Sequence, residues 1–237
     1  MRTRILGRLR PPFADGFYDY FSQLTKYEPK RAAQFGLPHY CWLCMNPKEA
    51  ENLELADQVI KLIAEFLERD NVLGIGEIGL NKNSRNEMTV LEKQIDLAAQ
   101  YQQLILVHTP HLEDKLKGTR LIIDAIAGDS RIEPERVLID HVEEHTVKMV
   151  MDAGFWGGIT LYPQSKCTAA RTIDMLEVYG HERLWMNSAC DWGVSVPLAV
   201  PYAAQEMRRR GYDAETVDNV FYKNPVRFLS QCPKFRL

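Results

Sequence analysis

Glu77, His108, His141 and Asp191 each close a short apolar run: VLGIG before Glu77, LILV before His108, VLID before His141, and LWMNSAC before Asp191. Carboxylates and imidazoles are the hard and borderline donors that hold divalent cations. If the four runs are parallel strands whose ends share one mouth, residues from distant positions meet there, and the set becomes a divalent-metal constellation. A single His or Asp after a buried strand can instead satisfy loop amides, so the weight lies in four such endings on four strands.

The stretch around Glu77 carries a competing pattern, because Gly74, Gly76 and Gly79 match the GxGxxG spacing of a dinucleotide-binding turn. That turn needs a helix directly after the third glycine, so that its N-terminus faces a pyrophosphate. Here a polar loop, Leu80 to Glu87, follows, and the helical pattern is expected to start only near Met88 or Thr89. The acid that should bind a ribose is also missing, since Asp96 falls inside a helical pattern. The glycines therefore read as room for backbone to crowd around Glu77.

A second literal match, His141-Val-Glu-Glu-His145, has the HxxEH spacing of one class of zinc peptidase. That chemistry needs both imidazoles on one helical turn. The β-type run before His141 instead places it at a strand end, with His145 in the next helix. His111 lies past the third strand and either touches substrate or faces solvent, whereas His39 and His181 read as ordinary histidines. Cys41-Trp-Leu-Cys44 forms a CxxC, but it lies in an apolar run that reads as a strand rather than at a helix start.

The elements that must position these residues alternate along the chain. Residues 35–44, 72–77, 104–108, 137–141, 155–161 and 184–190 read as strands, most of them continuously apolar, as in a sheet buried on both faces. Amphipathic stretches at 48–68, 89–102, 119–128, 143–153 and 168–179 read as helices between them. Repeated strand-helix units predict a parallel α/β sheet, closed as a barrel or open and doubly wound. With 237 residues, 46% of them hydrophobic, a single domain with a full core is expected.

In order, the motifs resemble those of the TatD-like metal-dependent hydrolases of the amidohydrolase superfamily. Asn46-Pro47-Lys48-Glu49-Ala50 is similar to the family's His-Pro-x-x-Ala, Gly76-Glu77-Ile78-Gly79-Leu80-Asn81 to its GEIGLD, and Val107-His108-Thr109 to its histidine segment. Asp140-His141 is similar to its strand-ending histidine, Ala189-Cys190-Asp191-Trp192 stands for its Glu-Thr-Asp, and Asn224 to Leu229 resembles its closing Asn-x-x-Arg-x-Phe. The resemblance implies a TIM (β/α)8-type barrel with one or two divalent ions (zinc, manganese, nickel or magnesium) and Glu77 bridging. His108 and His141 would bind one ion. Asp191 would bind the other and orient or deprotonate the attacking water, making Asp191 and Glu77 the catalytic pair. Hydrolysis of a phosphoester, ester or amide follows.

The departures are as specific. The family's first strand ends in His-x-His, a motif this sequence lacks, and six strands stand where a barrel has eight. The expected fold is thus an incomplete barrel with the first two strands missing at the N-terminus. Residues 1–12 should be irregular, and a form extended upstream should be more stable and more active. The alternative reading is a non-catalytic, barrel-derived binding or scaffold protein with a crippled metal site.

The net charge of −3 gives no global footprint of a nucleic-acid binder. Basic residues cluster near the N-terminus, at Arg208-Arg209-Arg210 and at Lys234-Phe235-Arg236, away from the expected mouth. A small-molecule or phosphoester substrate is expected, with Trp156, Tyr162 and Trp192 either flanking it or packing. Five cysteines, odd in number and irregularly spaced, fit reduced thiols, and no run approaches the ~18 apolar residues of a membrane span. A cytoplasmic location is the expectation.

Overall fold

The computed structural model describes residues 14–111, 114–189 and 194–237. The stretch 1–12, read above as irregular, lies outside them, as does Asp191. Six strands, β1 (Cys41–Leu43), β2 (Val72–Gly79), β3 (Leu104–His108), β4 (Val137–Asp140), β5 (Trp156–Leu161) and β6 (Leu184–Ser188), form one sheet in sequence order, every pairing parallel. Among the described residues ten α-helices accompany them: α1 (Ala14–Ser22), α2 (Glu28–Ala33), α3 (Leu53–Phe66), α4 (Arg85–Gln100), α5 (Lys115–Ala127), α6 (Val147–Asp152), α7 (Ala169–Tyr179), α8 (Ala199–Arg209), α9 (Ala214–Asp218) and α10 (Asn224–Leu229). Among the described residues β1 and β6 are not paired with each other, so the barrel is open there, in keeping with the incomplete barrel expected from the sequence.

The six strands fall where the apolar runs predict, with their ends adjusted by local chemistry. β1 is shorter than 35–44, because residues after α2 turn back on it, with Gly36 at φ 68° and the Leu37 amide bonded to Ala32 O. The expected helix 48–68 is two pieces, a 3-10 turn at Pro47–Glu49 and α3, because Asn46 and Asn52 each use a side-chain oxygen to cap the turn that follows. α4 starts at Arg85, ahead of Met88, because Ser84 and Glu87 form a reciprocal capping box. α6 starts only at Val147, which leaves His145 in a turn rather than in a helix.

Successive residues of a strand point to opposite faces. On one face Val72, Ile105, Val107, Val137, Ile139, Ile159 and Met186 pack in the main core, against which the helices lie. On the other, Leu73, Leu104, Leu138, Trp156 and Trp185 form a second cluster closed by Phe228 of α10. The Phe228 ring lies 5.3 Å from Trp185 and 5.9 Å from Trp156, and the Asn224 amide reaches the Leu184 carbonyl at 2.8 Å. The same face, continued toward the strand ends, is where His108, Asp140, Thr160 and Asn187 fall by the same alternation. The apolar floor thus fixes the strands that carry the polar layer above it.

Candidate metal centre

Toward the C-terminal end of β2 the ladder to β3 shifts register between Ile75 and Ile78, which re-aims the Glu77 side chain. Gly79, at φ 144°, lies so close to the His108 carbonyl that a Cβ would collide with it. This glycine lets β2 press against β3, and the helix that follows is separated from it by the Leu80 to Ser84 loop. A pyrophosphate-binding turn is not what the stretch builds.

Glu77, His108 and His141 converge. The His108 Nδ1 lies 3.1 Å from the His141 Nε2, the rings 4.8 Å apart and nearly perpendicular. Glu77 faces both, with Oε2 3.7 Å from His108 Nδ1 and Oε1 3.6 Å from His141 Nε2. A tetrahedral ion 2.0–2.2 Å from its ligands separates them by roughly 3.3–3.6 Å, so these spacings suit one divalent cation. The donor set of one carboxylate and two imidazoles fits zinc, manganese or nickel.

The protein also sets the protonation of His141. Its Nδ1 lies 2.7 Å from the Thr160 hydroxyl, which lies 3.1 Å from Asp140 Oδ1. Burial works to raise the Asp140 carboxyl, but neighbouring His141 and the Asn187 amide, 2.8 Å away, outweigh it and hold the group below its ordinary range. An ionised carboxylate only accepts, so Thr160 donates its proton to Asp140 and accepts from His141 Nδ1–H. The His141 Nε2 is left as an acceptor, with His108 Nδ1 3.1 Å away as its partner and Glu77 Oε1 at 3.6 Å. Burial also drives the His141 pKa well below normal despite Asp140, which keeps the ring neutral and able to ligate.

His141 occupies the left-handed region at φ 61°, a strained place for a side chain other than glycine. Its amide donates to Asp140 Oδ1 at 2.7 Å, and the Thr109 hydroxyl donates to the Asp140 carbonyl at 2.9 Å. These bonds hold the turn that points the ring inward. Gly158 is required beneath it, since a Cβ there would lie 2.5 Å from Asp140 Oδ1.

The other candidates fall as follows. His145 is half-exposed, with its Nε2 4.0 Å from Glu143, so the HxxEH spacing brings no second imidazole to the centre. His111 is exposed at the rim. Trp156 is buried in the floor cluster, its Nε1 donating to Glu135 O, and Tyr162 is buried as well, so both pack. Cys44 does reach the centre, its thiol donating to the Glu77 carbonyl at 3.1 Å, while burial pushes its pKa far up and keeps it protonated. The four described cysteines, Cys41, Cys44, Cys167 and Cys232, are free.

Single lysines, outside the basic clusters named from the sequence, do lie near the mouth. Lys115, at the start of α5, is buried with its Nζ 3.2 Å from the Pro110 carbonyl and 3.5 Å from Glu143 Oε1. Lys166 is near enough to lower the pKa of both His111 and His141 after burial has done so. Sequence reading missed Asp140, Thr160 and Asn187, whose alternation with buried neighbours was the available signal. It missed Lys115 because nothing in a polar loop marks one lysine as buried.

A parallel strand-helix sheet with a carboxylate and two imidazoles gathered at the strand ends is the arrangement of TIM-type hydrolases that work through metal ions. The chain belongs to the TatD related DNase family, which matches it over residues 22–230, and it is a metal-dependent hydrolase of that family. An uncharacterised metal-dependent hydrolase of Methanocaldococcus jannaschii is 28% identical over 213 residues, 90% of this chain and 82% of that protein. The fold is similar to the crystal structure of a TatD-like protein from Archaeoglobus fulgidus, with a TM-score of 0.75 at 24% identity, covering 94% of this chain and 85% of the other. It is also similar to a phosphotriesterase homology protein from Escherichia coli crystallised with phosphate in its active site, at 15% identity and a TM-score of 0.66, covering 84% and 77% of the two chains. Among the described residues no helix is long and apolar enough to cross a membrane.

Proposed function

We propose that Glu77, His108 and His141 hold a divalent ion with which the protein hydrolyses a phosphoester. The observation that carries this reading is the convergence of those three side chains, from three different strand ends, at ligand spacing. Bound there, the ion supplies Lewis acidity, polarising the scissile group and lowering the pKa of the attacking water toward neutrality.

The chain's own residues supply the rest. Glu77 presents two oxygens, so one carboxylate can meet an ion and still accept a proton or bridge to a second ion. His141 stays neutral through burial and presents Nε2 because Thr160 and Asp140 hold the proton on Nδ1. Asp191 is proposed as the second acid, ligating a further ion or deprotonating water. The choice of phosphoester over carboxylic ester or amide is supported by the DNase family, by the phosphate in the E. coli relative, and by Lys115 and Lys166 beside the histidines. The whole chain, residues 1–237, is proposed to act as one hydrolase domain.

The test is hydrolysis of a chromogenic phosphodiester beside a carboxylic ester, by protein loaded with zinc or manganese. Turnover of the phosphodiester that is abolished in Glu77→Ala and His108→Ala supports the reading. Equal turnover by those variants, or turnover of the carboxylic ester alone, contradicts it.

A further inference from the structure

We infer that Lys115 is a positioning residue that ties together the loops carrying the metal ligands, so that His108 and His141 face each other at ligand spacing. The inference rests on the metal reading above. Pro110 is two residues past His108, and Glu143 is two residues past His141. A single ammonium group, on a side chain only 9% exposed, lies 3.2 Å from the carbonyl of the first and 3.5 Å from the carboxylate of the second. It thereby pins two loops that emerge from neighbouring strands.

The third loop meets the same helical turn. The Asn83 amide, in the loop after Glu77, donates to the Asp114 carbonyl at 3.0 Å. Gly118, one turn into α5, packs so closely that a Cβ would strike both Asn83 and the Pro110 ring. The first turn of α5 is therefore a hub touching the loops beyond Glu77, His108 and His141. Lys115 contributes the one element of that hub that is both charged and buried.

Its position explains why a lysine is there at all. Burial disfavours the charged ammonium, and Glu143 opposes that penalty, so the pair is kept as a pair. Fixed partners beyond the ligands commonly change metal affinity ten- to a hundredfold when removed. A merely structural ion pair would instead lower stability and leave affinity alone.

The experiment is calorimetric titration of zinc into the metal-free full chain, for the unaltered protein, Lys115→Met, Glu143→Gln and the double variant, with a thermal melt of each before zinc is added. The double variant removes both charges, so it avoids stranding one of them. The expected result is zinc binding weakened about ten- to a hundredfold in each single variant and no further in the double, with the metal-free melt of the double close to that of the unaltered protein. Unchanged zinc affinity in the double variant overturns the inference, and a raised KM alone would then place Lys115 on substrate instead. If the unaltered protein binds no zinc or manganese, the metal reading itself falls, and this role falls with it.

Discussion

His141 Nε2 and His108 Nδ1 stand 3.1 Å apart, and the proton that would otherwise block His141 is held on its far nitrogen by the Thr160 hydroxyl, 2.7 Å away. The readiness of the centre for a cation thus depends on a residue that is not a ligand. Thr160 belongs to β5, and its hydroxyl transmits the charge of Asp140 on β4 to the ring of His141. Two neighbouring strands are needed to set one lone pair.

Thr160→Val keeps the shape and removes the relay. It should leave the chain folded, cost about 1–3 kcal/mol through the unpaired Nδ1–H, and weaken zinc binding about ten- to a hundredfold. Thr160→Ser should recover most of the affinity. Zinc titration of the two variants checks it, and equal affinities for valine and serine would contradict the relay.

Gly158 lies directly under Asp140. Gly158→Ala places a methyl group where the carboxylate now lies, 2.5 Å from its Oδ1, so either the strand or the carboxylate must shift. The expected destabilisation in urea unfolding is about 1–3 kcal/mol, accompanied by weaker metal binding. An alanine variant of native stability and native affinity would show that the polar layer has slack the geometry does not suggest.

Burial raises the Cys41 and Cys167 thiols to about 12. In the unfolded chain such thiols ionise near about 8.5, so folding keeps protons that the unfolded chain gives up. The sign follows from linkage: their contribution to stability is intact below about pH 8.5 and is lost as the pH rises from there toward 12. Urea melts at a series of alkaline pH values should show stability falling through that window, less steeply in a Cys41→Ala/Cys167→Ala variant. Identical slopes for both proteins would remove the thiols from the account.

Much of this was legible before any coordinates. β2 to β6 are buried on both faces, so they read as unbroken apolar runs, and their strand ends name Glu77, His108 and His141 directly. The Ser84 to Glu87 capping box was equally visible as Ser-x-x-Glu, although the hydrophobic pattern of α4 starts a turn later. α8 is harder to read, because Pro201 falls in its first turn. What could not be read was depth. Asp140 beside His141 looks like any strand-end acid, and Lys115 like any loop lysine, until neighbouring loops from distant sequence close over them. The HxxEH spacing failed for a related reason, since the turn at 144–146 sends His145 outward.

The most direct test of the central claim is anomalous diffraction at the zinc edge from crystals of the full chain grown with zinc. The account predicts a peak within coordinating distance, about 2.0–2.2 Å, of a Glu77 carboxylate oxygen, His108 Nδ1 and His141 Nε2 together. Crystals that hold zinc elsewhere on the surface while these three side chains stay unliganded would contradict it.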